Sequence, residues 1–145
     1  MSKVIAIDPG ISKCGLILAD LKEKTVYEAF VINSHQLINY INKKYQEEKK
    51  IQFIIGNGTS SGIYIKDLNL FTDNLIIAEE KNSTFRAKQR YFEIFPLKGI
   101  KRFLPKEIFI LNKNLDALAA LIILEDYFRI KFDFSEKINT KTWLK

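Results

Sequence analysis

VIAIDPGISKCGLILAD, residues 4–20, sets two apolar runs on either side of Asp8-Pro9-Gly10. Proline presets φ and glycine accepts a left-handed backbone, so the triplet reads as a tight turn. Residues 3–8 then form a buried strand and residues 15–20 its hairpin neighbour. A carboxylate at the end of such a run is costly if it stays unpaired. Asp8 is therefore either a turn residue or part of a site.

The pattern continues outward from this hairpin. TVYEAFVI at 25–32 alternates and is rich in β-branched and aromatic residues, which suits a third strand. Ser34 can cap a helix to about Glu48, with Leu37, Ile38, Ile41 and Tyr45 on one face. IQFIIG at 51–56 reads as a fourth strand buried on both sides. NGTSSG opens a loop that leads into a short helix, and NLIIAEE at 74–80 is a fifth strand ending in acid. Asn82 or Ser83 caps a helix through about Phe95, with Phe85, Ala87, Tyr91, Phe92, Ile94 and Phe95 on the expected core side. Arg86, Gln89, Arg90 and Glu93 share the other side, and Lys88 falls inside the apolar arc. After a loop with Pro96, Gly99 and Pro105, Asn112 or Asn114 caps a long helix to about Ile130, apolar almost all round. The expectation is one α/β domain over residues 1–145, with a five-stranded mixed sheet, helices on both faces and a polar, partly ordered tail from Lys131.

Hydrophobic residues make up 47% and charged residues 28% of the 145 residues, which argues against disorder. No apolar run reaches the ~18 residues of a membrane span, and the first apolar run is too short for a signal peptide, so a cytoplasmic protein is expected. One cysteine, Cys14, and one histidine, His35, exclude an internal disulfide and a Cys/His zinc site. The net charge is +6, yet residues 81–106 alone carry eight cations against Glu93. Charge concentrated in this way suits a polyanion, with a phosphate backbone the commonest.

Asp8, Glu80 and Asp116 each end or interrupt apolar sequence. The ends of neighbouring parallel strands converge on one sheet edge. If the first and fifth strands are neighbours and the last helix packs across them, the three acids meet. Two carboxylates ~4 Å apart repel by about 4 kcal/mol at an effective dielectric of 20, which a divalent cation relieves. Oxygen ligands without Cys or His suit Mg²⁺ or Mn²⁺, and a pair of such ions serves in-line phosphodiester hydrolysis. Each acid also has a local role open to it: Asp8 in its turn, Asp116 at a helix N-terminus, Glu80 as an exposed strand end beside Glu79.

Taken together, IDPGISKCG, EEKNSTFRA and LDALAALIIL resemble the RuvC-like nucleases of the RNase H fold, and within them the YqgF branch. The resemblance spans residues 3–130 and includes the glycine-ended strand FIIGNG. It implies an RNase H-like fold, catalytic and metal-binding roles for Asp8, Glu80 and Asp116, and a Ser-Thr pair at Ser83 and Thr84. The activity implied is metal-dependent maturation of the 5′ end of 16S ribosomal RNA. RuvC resolvases carry a fourth acid where this chain has Lys113, which favours the YqgF branch over Holliday junction resolution. Ser83, Thr84, Arg86, Arg90, Lys98, Lys101 and Arg102 are the candidate nucleic-acid contacts. Two rivals stand beside this reading. One is a non-catalytic nucleic-acid binding module; the other is a phosphate-binding domain of the sugar kinase and actin type, which needs a second domain to clamp its nucleotide.

Overall fold

The computed structural model describes residues 2–70, 72–80, 83–110 and 115–135. Strands β1 (Lys3–Asp8), β2 (Lys13–Asp20) and β3 (Thr25–Asn33) form an antiparallel meander. Helix α1 (Ser34–Glu47) carries the chain to β4 (Gln52–Gly56), which runs parallel to β1. Helix α2 (Ser61–Leu68) precedes β5 (Leu75–Ala78), parallel to β4. Then follow α3 (Ser83–Ile94), two 3-10 turns (Gly99–Phe103 and Lys106–Phe109), α4 (Asp116–Phe128) and the short β6 (Asp133–Phe134). The strand order β5-β4-β1-β2-β3-β6 makes a six-stranded mixed sheet in an α/β protein.

Covering both faces of the sheet explains the unbroken apolar runs. Val4 and Ala6 of β1 point to one side, where they join Ile17, Ala19 and Ala29 under α4. Ile5 and Ile7 point to the other, against Leu16, Phe53, Leu37 and Ile41 of the α1 layer. Side chains alternate across a strand, so a strand packed on both faces has to be apolar at every position. Four alanines (Ala6, Ala19, Ala29, Ala78) alternate with Val4, Ile17, Val26 and Ile54 on the sheet face under α4. Ala117 to Leu124 are buried without a break, because α3 covers the side of α4 that the sheet does not. Among the described residues no helix is long and apolar enough to cross a membrane.

Several expectations need correction. The sheet has six strands, since residues 133–134 pair in parallel with β3. The start of the presumed polar tail is therefore built into the fold, and Phe132 is buried at 1% exposure. Arg129 takes the left-handed conformation that ends α4 (φ 53°) and turns the chain toward this pairing. Residues 136–145 lie outside the described residues, as do Asn82, Asn112, Asn114 and Lys113. Ser34 is the first residue of α1 and not its cap; its amide donates to the carbonyl of Ser12 (2.9 Å). Helix α3 departs from the expected wheel at two positions. Ala87 and Tyr91 are buried and Phe92, Ile94 and Phe95 pack against the core as expected, but Arg90 is buried too and Phe85 is 64% exposed.

Candidate functional site

The parallel strands β1, β4 and β5 end on the same edge of the sheet, at Asp8, Gly56 and Ala78. β1 and β5 are not neighbours, because β4 lies between them. Glu80, two residues beyond β5, nevertheless contacts Asp8 through a hydrogen bond. The crossing depends on glycine. A Cβ on Gly56 would collide with Oε1 and Cγ of Glu80, and one on Gly58 would stand 2.6 Å from Oε2. β4 ends in a notch, and the Glu80 side chain lies in it.

A third glycine sets the other side. Gly15 is the register partner of Asp8 in β2, and a Cβ there would collide with the backbone carbonyl of Asp116. The first turn of α4 thus sits directly on the sheet beside Asp8. Strands β1 and β2 are joined not by a tight turn with a left-handed glycine but by residues 9–12, in which Gly10 has no positive φ; the connection is braced where the Tyr64 hydroxyl donates to the carbonyl of Gly10 (2.6 Å). Gly15 is the closely packed glycine that the resemblance implies, whereas Gly56, Gly58 and Tyr64 did not stand among the expected site residues. Gly56 does end an apolar strand shortly before an acid-ended one, which is the signal that points to it.

The electrostatics follow from this crowding. The Asp8 carboxyl is pushed up to about 8, by burial first, then by the charge of Glu80 and its hydrogen bond, then by the charge of Asp116. Burial also raises Glu80, although the bond from Asp8 opposes it. Protonated Asp8 thus donates and Glu80 accepts. Oε1 of Glu80 is buried without a hydrogen-bond partner. Asp116 lies near enough for its charge to act on Asp8, yet among the described residues no three His, Cys, Asp or Glu side chains are grouped to hold an ion. The close grouping is a pair, Asp8 with Glu80, and Asp116 stands beside it. Glu79 is exposed, so Glu80 is the member of Glu79-Glu80 that faces the site.

A proton-sharing carboxyl pair with an orphaned buried oxygen is a place short of positive charge. Its donors are all oxygen, which fits a hard divalent cation held by one or two carboxylates with several waters. Cys14, whose thiol faces the Gly10 carbonyl at 3.9 Å, is buried on the α1 side, and His35 is exposed on α1. Neither adds a softer ligand.

The basic residues divide into two groups. Lys98, Lys101 and Arg102 are exposed on the segment after α3, and Thr84 is exposed in its first turn. Ser83, half-buried, donates its amide to the Glu80 carbonyl (3.3 Å), so α3 starts directly beside the acid pair. Arg86 is ion-paired with Asp126 of α4. Arg90, expected on the solvent face, is 8% exposed and grips both oxygens of Glu125 (3.0 and 3.2 Å) and the carbonyl of Phe132 (2.9 Å). Its guanidinium is spent on holding α3, α4 and the chain before β6 together, and it is not offered to a phosphate. The chain matches no protein-family model, and no curated protein shows significant similarity to it.

Proposed function

We propose that this protein is a divalent-cation-dependent nuclease acting on structured nucleic acid, with an RNase H-like fold of the RuvC type. The observation that carries the reading is the carboxyl pair Asp8 and Glu80. It is forced together across the glycine notch of Gly56, at the sheet edge where parallel strands end and α4 begins. Folding tolerates so much negative charge in one place only with compensation. A cation held there would supply Lewis acidity toward a scissile phosphate and an attacking water. Asp8 and Glu80 hold it, the notch fixes the orientation of Glu80, and Asp116 adds negative charge that favours a cation. Lys98, Lys101 and Arg102 hold flanking phosphates, and Mg²⁺ or Mn²⁺ is the expected ion. Within the YqgF resemblance the substrate is the 5′ end of precursor 16S ribosomal RNA, processed in the cytoplasm.

The test is to incubate the protein with 5′-labelled tailed RNA, single-stranded DNA and a four-way DNA junction in Mg²⁺, Mn²⁺ or EDTA, alongside Asp8→Asn and Glu80→Gln. Cleavage that needs the cation and disappears in both variants is expected, with tailed RNA preferred. Preference for the junction would move the assignment to a resolvase. Binding without cutting in any cation, equal in both variants, would leave a binding module whose acids serve only the fold.

A further inference from the structure

The face that begins at α3 is unusual in what it leaves in water. Phe85 is 64% exposed and Phe103 84%, and Ile100, Leu104 and Ile108 are exposed on the same segment as Phe103. Between α3 and the second 3-10 turn lies a groove of about 560 Å³, lined among others by Phe85, Lys88, Phe92, Glu93, Lys106 and Glu107. The Lys106 ammonium lies over the Phe92 ring, 5.5 Å from its centroid. Lys88, the cation that fitted no expected face of its helix, is on the rim of this groove. Lys98 and Lys101 line a second groove against α3, beside Tyr91 and Phe95, and Arg102 is exposed on the same loop. No ion pair is found for Lys88, Lys98, Lys101, Arg102 or Lys106 among the described residues, whereas Arg86 and Arg90 are committed to acids. Two carboxylates stand among the cations of the groove wall: Glu107, and Glu93, which is ion-paired with Arg90 and Lys131.

We propose that α3 and the loop after it bind a single-stranded segment of nucleic acid, stacking unpaired bases on Phe85 and Phe103 while Lys88, Lys98, Lys101, Arg102 and Lys106 hold its phosphates. Charge selects the class of partner, because residues 88–106 carry five cations without an ion pair against Glu107 and a Glu93 already neutralised by Arg90 and Lys131, a balance that complements a polyanion. Aromatic placement selects the form. Exposed rings set singly between cations give π-faces to bases, and only unstacked bases can use them. Continuity with the acid pair completes the argument. Phe85 lies in the first turn of α3, whose first residue bonds to the Glu80 carbonyl, and twelve helical residues carry the groove roughly 18 Å outward. Where the face delivers its strand rests on the nuclease reading of Asp8 and Glu80; the binding itself does not.

Fluorescence anisotropy of the full chain in EDTA at low salt tests the proposal without any cleavage. The probes are labelled oligothymidylate longer than the ~16 nucleotides that single-strand sites span, its abasic counterpart, and a duplex of equal length. The base-bearing strand should bind about fivefold or more tighter than the abasic one. Phe85→Leu and Phe103→Leu should each weaken it by about fivefold or more, Phe103→Tyr should restore it, and duplex affinity should stay within about twofold. Equal binding of the abasic strand, or leucine variants that bind like wild type, would overturn the proposal. Failure of oligothymidylate to bind at all would also overturn it and give the face to a protein partner. Cleavage is measured separately in Mg²⁺ and Mn²⁺. Stacking present without cutting keeps this proposal and removes the nuclease reading; cutting present without stacking does the reverse.

Discussion

At the scale of single residues, the site depends on an atom that is missing. Glu80 reaches Asp8 because Gly56 has no Cβ. Gly56→Ala should leave the fold intact, since the far end of a flexible side chain is what must move, but it should push Glu80 off Asp8. Misplacing a reacting group by about 1 Å can cost a hundredfold in rate, so loss of about that size is expected in the cleavage assay, with an unchanged circular dichroism spectrum. Asp8 gives a second prediction, with a defined sign. Its folded-state carboxyl titrates near 8, well above the unfolded value. The unfolded chain therefore releases this proton first, and stability falls as pH rises from about 4 to 8. Below that window both states hold the proton and nothing is lost; above it the loss is complete. Cation-free wild type should melt several degrees lower at pH 8 than at pH 5, whereas Asp8→Asn should be more stable at pH 8 and nearly flat across the range. Thermal melts in EDTA at both pH values decide this, and a wild type as stable at pH 8 as at pH 5 would refute it.

At the scale of elements, Arg90 shows what a helical wheel leaves out. A cation on an amphipathic helix is normally assigned to solvent, and nothing near Arg90 in sequence contradicts that. Its partner Glu125 is 35 residues further on, and the same carboxylate also accepts the amide of Phe132 (2.9 Å). The pair is nearly buried, with side chains 10% and 11% exposed. Removing one partner of such a pair strands the other, so Arg90→Leu should destabilise the protein by roughly 3 kcal/mol or more, read as a lower urea midpoint. Amide exchange at Asp133 and Ser135 should accelerate first, because their bonds to Lys24 and Val26 hold the last strand to β3. Nucleic-acid affinity below the melting point should stay the same, which a phosphate-binding arginine would not allow. The first five strands were legible because their periodicity is local. β6 was not, because two residues give no period and its place comes from Arg90 and β3.

At the scale of the whole molecule, the legible part of the candidate site is its chemistry and the illegible part its geometry. Acids that end apolar runs, as at Asp8 and Glu80, stand out from their surroundings. That one must cross β4 to meet the other follows from strand order, which no local pattern encodes. Charge can be read the same way: the sequence locates the cations, and the fold decides which remain available. Lys88, Lys98, Lys101, Arg102 and Lys106 are exposed on one segment, while Arg86 and Arg90 are occupied. If these five contact single-strand phosphates, each releases about 0.7 counterion, and log affinity should fall with log salt at a slope near −3.5. Replacing Lys98, Lys101 and Arg102 by Gln should flatten the slope to about −1.4, because two contacts remain. Lys43→Gln with Lys50→Gln removes two exposed charges at α1 and the turn after it, and should leave the slope as it was. Equal flattening in both variants would mean that diffuse positive charge, and not this face, draws the nucleic acid.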